Sequence, residues 1–131
     1  MRRTRVYVAG AYSADNVITV LDNMRKGMRM STEVMNLGYA PFCPWLDYQF
    51  QLMQREDLGE SLSVEDYYEY SLAWLDASDC VLVVPGYENS KGTMKELAYA
   101  AQMGLPIYYK VEDLYESENE LRAETPEVTN R

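Results

Sequence analysis

The chain contains no histidine, only two cysteines and only two phenylalanines. Without an imidazole there is no Ser-His-Asp triad, no His-based zinc site and no histidine acid/base. Cys43 and Cys80 stand far apart, with no metal-like spacing. They read as buried thiols in a reducing compartment, and neither a metal nor any other cofactor is expected. Chemistry is left to carboxylates, tyrosines, hydroxyls and lysines. Basic residues are also scarce, with 12 Lys and Arg against 21 Asp and Glu and a formal charge of −9. That balance argues against a protein that grips a nucleic-acid backbone, so nucleic acid is not an expected partner. No apolar run approaches the roughly 20 residues that span a bilayer, and no membrane partner is expected. The apolar run from Val6 to Ala9 is too short for a signal-peptide core, which makes a cytoplasmic location the expectation. The phosphate-binding patterns G-x-G-x-x-G and G-x-x-x-x-G-K-[ST] are both missing, and there is no internal repeat.

What is present describes one domain. The 131 residues are 47% hydrophobic and include 12 tyrosines, enough for a real core and too short a chain for two. Residues 111–131 hold seven acids against two arginines, so much of the charge sits there. That stretch reads as a partly helical or frayed acidic C-terminal extension to a domain spanning residues 1–110.

Hydrophobic spacing orders the elements. Val6–Ala9 is a first strand, followed by the turn-rich Gly10-Ala11-Tyr12-Ser13-Ala14-Asp15-Asn16. Val17, Val20, Leu21, Met24 and Met28 fall at offsets 0, 3, 4, 7 and 11, a helix that can run to Leu37 and stop at Gly38. Its methionines read as core or as a subunit interface. Residues 39–45 form an edge-like strand, because Pro41 and Pro44 cannot complete a ladder. Residues 46–63 show no clean period. Val64, Tyr67, Tyr68, Ser71, Leu72 and Leu75 mark a second helix, and Asp79–Val84 a fully buried strand. A helix over about 93–103 ends at Gly104, and residues 105–109 form the last strand. The alternation of strands and helices predicts an α/β fold: a small doubly wound, Rossmann-like or flavodoxin-like parallel sheet of four or five strands flanked by helices.

The segment from Val81 to Ala100 is the most informative. A buried strand runs into Pro85-Gly86-Tyr87-Glu88-Asn89-Ser90-Lys91-Gly92 and then into a helix beginning near Thr93. Ligands of open α/β sheets bind at such carboxyl ends, where backbone N–H groups and a helix N-terminus face outward. Ser90, Lys91 and Gly92 are offered to an anion, with Glu96 one turn into the helix. Glu96 has two readings. In the first, Thr93-Met94-Lys95-Glu96 is a capping box whose glutamate folds back to the cap amide. In the second it is a reactive carboxylate, held ionised by the positive end of the helix dipole. Gly10, Tyr12 and Ser13 either line the same sheet edge or are ordinary turn residues. Glu65, Asp66 and Glu69 form a charged helical face that is solvated by default. Asp76 and Asp79 bracket the turn into the buried strand and read as structural.

These residues carry a resemblance. Val6-Tyr7-Val8-Ala9-Gly10, the run Trp74–Val84, and Ser90-Lys91-Gly92-Thr93…Glu96-Leu97-Ala98-Tyr99-Ala100 are similar to the nucleoside 2-deoxyribosyltransferase superfamily, including the deoxynucleoside monophosphate N-glycosidases and their small bacterial and phage relatives. The likeness covers roughly residues 5–110. It implies that Glu96 attacks the anomeric carbon of a deoxyribose or activates water against it. It also implies that Ser90 binds a 5′-phosphate with Gly92 beside it, and that Tyr12 sits near the sugar and the glutamate. One departure stands out: Ser71 occupies the place of a family aspartate, eight residues before Asp79. Asp66, Glu69 and Asp47 are the carboxylates that could stand in.

The expectation is therefore an enzyme that cleaves the N-glycosidic bond of a 2′-deoxynucleoside 5′-monophosphate or deoxynucleoside, by hydrolysis rather than transfer. Its catalytic residues are expected to be Glu96 and Tyr12, with Gly10, Ser13, Ser90, Lys91, Gly92 and Asp66 binding substrate. The partner is a small nucleotide or nucleoside, and the protein is expected to be a homo-oligomer, a dimer or tetramer. The alternative is a non-catalytic nucleotide-binding or sensing module that keeps the phosphate loop.

Overall fold

The structure, a computed structural model, describes residues 2–124. Four parallel strands form a single sheet in the order β2-β1-β3-β4, with β1 at Arg5–Ala9, β2 at Ala40–Phe42, β3 at Cys80–Val83 and β4 at Ile107–Tyr108. The register pairs Val6 with Cys80 and Val8 with Leu82 across β1 and β3, and Tyr7 with Phe42 across β1 and β2. Five helices flank the sheet: α1 Val17–Asn36, α2 Tyr48–Met53, α3 Val64–Asp76, α4 Lys91–Gln102 and α5 Val111–Glu124. This is the α/β fold expected from the alternation of elements. The edge placement of β2 follows from Pro41, which has no N–H to give to a neighbour on both sides.

Strand alternation divides the core into two layers. Val6 and Val8 of β1 and Leu82 of β3 face one side, packed with Met24 and Val34 of α1 and with Val111 and Leu114 of α5. Tyr7 and Ala9, Val81 and Val83 face the other side, against Leu75 of α3 and Leu97 and Ala100 of α4. Period-2 alternation on strands buried on both sides thus sends a tyrosine into the α3–α4 layer.

The stretch beyond residue 110, read from sequence as an extension, opens as part of this core. Val111 is 8% exposed and Leu114 is fully buried. Thr4 donates a 3.0 Å hydrogen bond to Glu118, and the Tyr108 and Ser117 hydroxyls lie 2.8 Å apart. Glu112, Asp113, Glu116 and Glu120 are exposed, so charge count alone hid the apolar i, i+3 pair that docks α5. The last seven residues of the expected extension, 125–131, lie outside the described residues.

Residues 46–63, unreadable by period, complete a 3-10 turn at Pro44–Asp47 and continue through the six-residue α2 to a second 3-10 turn at Glu56–Leu58. Trp45 is 1% exposed and donates its indole N–H to the Ala11 carbonyl at 3.0 Å. The indole is also why α1 contains Gly27: a Cβ there would sit 2.3 Å from the Trp45 ring. Gly10 has the same kind of reason, since its Cβ would come within 2.8 Å of the Val84 Cβ. Neither glycine has a positive φ; both give up a side chain to close packing.

Candidate active site at the carboxyl edge of the sheet

Strand order reverses direction between β1 and β3, because the chain steps from β1 out to β2 and from β3 out to β4 on the opposite side. The crevice at such a switch point, beyond the carboxyl ends, is where doubly wound sheets take ligands. Two groups of polar side chains meet the core here.

The first centres on Glu96. Helix α4 begins at Lys91, two residues earlier than expected, and its N-cap is Ser90 rather than Thr93. The Ser90 hydroxyl accepts from the Thr93 N–H at 3.2 Å and lies 2.8 Å from the Thr93 hydroxyl. The Thr93–Glu96 capping box therefore does not form. Glu96 falls in the second turn, points at the sheet and is 9% exposed. Its partner is Tyr7, whose hydroxyl donates to the Glu96 carboxylate across the α3–α4 layer. Tyr7 is fully buried and its ring stacks on Phe42 with centroids 5.5 Å apart, which fixes where the hydroxyl points. Ser71 of α3 is buried as well, at 7% exposed, and its hydroxyl lowers the same phenol against the rise that burial causes.

This geometry overturns the expectation that the helix dipole holds Glu96 ionised. Burial pushes its carboxyl up to about 7, and the hydrogen bond from Tyr7 opposes that rise without cancelling it. The dipole acts on the first turn, and Glu96 lies beyond it. Tyr7 is itself held well above the ordinary phenol range, first by burial and then by the Glu96 charge. Near neutrality the pair is a buried carboxyl poised between its two protonation states and a phenol that only donates.

The second group centres on Asp47. Tyr12 donates a 2.8 Å hydrogen bond to the Asp47 carboxylate and receives a 3.4 Å contact from the Gln51 amide. Asp47 is 7% exposed, and burial raises its carboxyl against the lowering pull of Tyr12 and Gln51. Tyr12 thus belongs to Asp47, and the tyrosine on Glu96 is Tyr7. Successive residues of α3 face the two groups: the Asp47 charge contributes to raising the Tyr67 phenol, and the Glu96 charge to raising Tyr68. The Tyr67 hydroxyl is buried and has no hydrogen-bond partner.

The remaining expected residues take varied places. Asp66 caps α3, accepting from the Ser63 N–H at 2.8 Å in a capping box, and does not join either group. Glu65 and Glu69 are exposed, as is Ser13. Gly10 is a packing residue under the first loop. Lys91 and Gly92 open α4 at the surface, and a Cβ at Gly92 would meet nothing within 4 Å. Asp76 accepts from Tyr99 at 2.5 Å, and Asp79 takes a bidentate pair from Arg2 together with the Arg5 N–H, so both are structural.

The fold and these side chains define a small doubly wound α/β domain with a buried carboxylate beneath a strand–loop–helix at its switch point. Residues 4–109 match the family described as Domain of unknown function (DUF4406), and the chain belongs to that family. No curated protein matches the chain.

Proposed function

We propose that the protein cleaves the N-glycosidic bond of a 2′-deoxynucleoside 5′-monophosphate by hydrolysis, with Glu96 as the reacting carboxylate. The observation that carries this reading is the buried Glu96, hydrogen-bonded to Tyr7 on the helix that follows the β3 loop. The sequence likeness to deoxyribosyltransferases and N-glycosidases supports it independently.

The chemistry suits what the site contains. Cleavage of a deoxynucleotide passes through an oxocarbenium-like state, which an adjacent carboxylate stabilises. The missing 2′-hydroxyl makes that cation easier to form. An ionised Glu96 oxygen bonds to C1′ as the C1′–N bond breaks, and its electron pair leaves with the base, which takes a proton from solvent. Water then displaces the carboxylate from C1′. The donated Tyr7 hydrogen bond holds one carboxylate oxygen, leaving the other free to react. Neither imidazole nor metal is required for these steps.

The phosphate is assigned to the first turn of α4. The Lys91 and Gly92 N–H groups precede the first intrahelical bonds, and the Lys91 ammonium adds a positive charge. No packing demand explains Gly92, whose hydrogen faces open space. Close approach of an anion to the backbone is what a glycine leaves room for. Ser90 keeps its hydroxyl oxygen on the α4 cap, accepting from the Thr93 N–H, and its own hydrogen can go to an anion when the Thr93 hydroxyl is the donor between the two.

A second reading is favoured by one observation. Ser71 supplies no carboxylate opposite Glu96, so the domain can hold a nucleotide and leave it uncleaved. Incubation with the four deoxynucleoside monophosphates, followed by chromatography for free base, separates the two. Base released by the wild type and not by Glu96→Ala supports the hydrolase. Thermal stabilisation by a nucleotide with no base released supports the binding module.

A further inference from the structure

We propose that Asp47 is a positioning residue: by accepting the hydrogen bond of Tyr12 it fixes the first loop, residues 10–16, at the ligand crevice. The inference deepens the reading above, from which it takes only the ligand.

The first loop has little structure of its own. Residues 10–16 form neither helix nor strand, and Ser13 to Asn16 are exposed. Connections of this kind are normally among the mobile parts of a fold. In this chain, side chains from the Pro44–Asp47 turn, α1 and α2 take hold of two neighbouring loop residues. The Trp45 indole N–H donates to the Ala11 carbonyl at 3.0 Å, and the Asn23 amide of α1 donates to the Tyr12 carbonyl at 3.1 Å. The Tyr12 hydroxyl donates to Asp47 at 2.8 Å, with the Gln51 amide of α2 3.4 Å from the same oxygen. Trp45 and Asp47 stand on one buried turn, and the indole fills the space left by Gly27 of α1. The loop is thus bound to a packed support. Burying a carboxylate is costly, and a hydrogen bond given to its charged form is of the stronger, charge-assisted kind. Asp47 therefore holds Tyr12 more firmly than a neutral acceptor would.

The place of the loop gives this fastening a use. The Val84 N–H donates to the Ala9 carbonyl at 2.8 Å, and Gly10 packs against the Val84 side chain. The first loop accordingly starts beside the β3 loop that leads to Ser90, and the two leave the sheet at its switch point. A loop free to move would have to be ordered as the ligand binds, at a cost in affinity. A loop fixed beforehand escapes that cost.

Trp45 supplies a readout that needs no substrate. The chain has two tryptophans, so in a Trp74→Phe background the tryptophan emission is that of Trp45 alone. Phenylalanine at position 74 keeps a ring on Phe42, where the Trp74 ring stacks. With its indole buried and bonded to Ala11, Trp45 should emit at short wavelength and resist quenching by acrylamide. Tyr12→Phe, which removes only the phenol oxygen, should shift the emission to the red and increase quenching. Asp47→Ala should do the same, and the double variant should change no more than either single one. Asp47→Asn, whose amide oxygen still accepts from Tyr12, should resemble the parent. Titration calorimetry with the four deoxynucleoside monophosphates should show binding weakened about three- to tenfold in Tyr12→Phe and Asp47→Ala, the scale of one hydrogen bond. Emission unchanged in Tyr12→Phe, additive changes in the double variant, or a loosened loop with full affinity would overturn the proposal. If the emission moves as stated and the wild type binds none of the four nucleotides, Asp47 still fixes the loop, and it is the nucleotide reading that falls.

Discussion

Removing the charge from Glu96 should make this protein more stable above neutral pH. In the unfolded chain the carboxyl titrates near its ordinary value of 4.5, and in the fold burial pushes it up to about 7. The folded state therefore holds its proton more tightly. What this carboxyl contributes to stability is fully present below 4.5 and is lost as pH rises through 7. Each pH unit between the two values corresponds to about 1.4 kcal/mol, so the loss approaches ~3 kcal/mol at pH 8. Glu96→Gln keeps the shape and the acceptor for Tyr7 and cannot ionise. At pH 8 it should gain much of that ~3 kcal/mol, or about 10 °C in Tm for a chain of this size. At pH 4, where the wild-type carboxyl is protonated, the two proteins should melt within a degree or two of each other. Calorimetric melting of both proteins from pH 4 to pH 8 reads the difference directly, and every other titrating group cancels. Melting temperatures that run parallel across that range would refute the buried, raised carboxyl on which the site rests. A gain in stability on removing a reactive group would be the trade-off expected of a site that holds a charge where packing alone would not.

The other expectations use the same logic at other residues. Gly27→Ala, which in an exposed helix would be stabilising, should cost about 1–3 kcal/mol because its Cβ would lie 2.3 Å from the Trp45 ring; chemical denaturation measures it. Ser90→Ala should lose about 1 kcal/mol with the α4 cap and also weaken nucleotide binding, whereas Gly92→Ala should leave stability nearly unchanged and weaken binding alone. Titration calorimetry with a deoxynucleoside monophosphate separates these two outcomes. Leu114→Ala should cost about 2–5 kcal/mol, since α5 docks through this fully buried side chain. A free extension would lose nothing. If Glu96 reacts in its ionised form, kcat/KM should rise with pH and level off above about 7; a fall over that range would assign it the opposite role, as a proton donor.

Much of this architecture is legible in the residues themselves. The offsets of Val17, Val20, Leu21, Met24 and Met28 belong to a helix that runs Val17–Asn36, and the prolines after Tyr39 mark a short edge strand. Elements shorter than about two helical turns carry too few residues to show a period, which is why residues 46–63 resist reading. The candidate site was half legible. Glu96 stood out for its place after the β3 loop, but its surroundings depend on contacts between residues distant in sequence. Tyr7 passed as one more apolar residue of a buried strand. The signal was its hydroxyl: a phenol in the middle of a strand covered on both faces needs a partner, and alternation with Val6 and Val8 assigns it to the opposite layer. The family resemblance assigns that place to Tyr12 of the first loop, whose partner in the structure is Asp47. The start of α4 was misplaced because Thr93 fits a capping box so well. Ser90, three residues earlier, caps the helix instead by accepting from the Thr93 N–H.

The most direct test of the central claim is release of free base from deoxynucleoside monophosphates at pH 8, comparing the wild type with Glu96→Gln. At that pH the variant is expected to be the more stable of the two, so inactivity cannot be ascribed to unfolding. The account predicts base released by the wild type and a loss of at least a hundredfold in the variant. Equal rates in the two proteins would contradict it, and so would no release by the wild type from any of the four nucleotides.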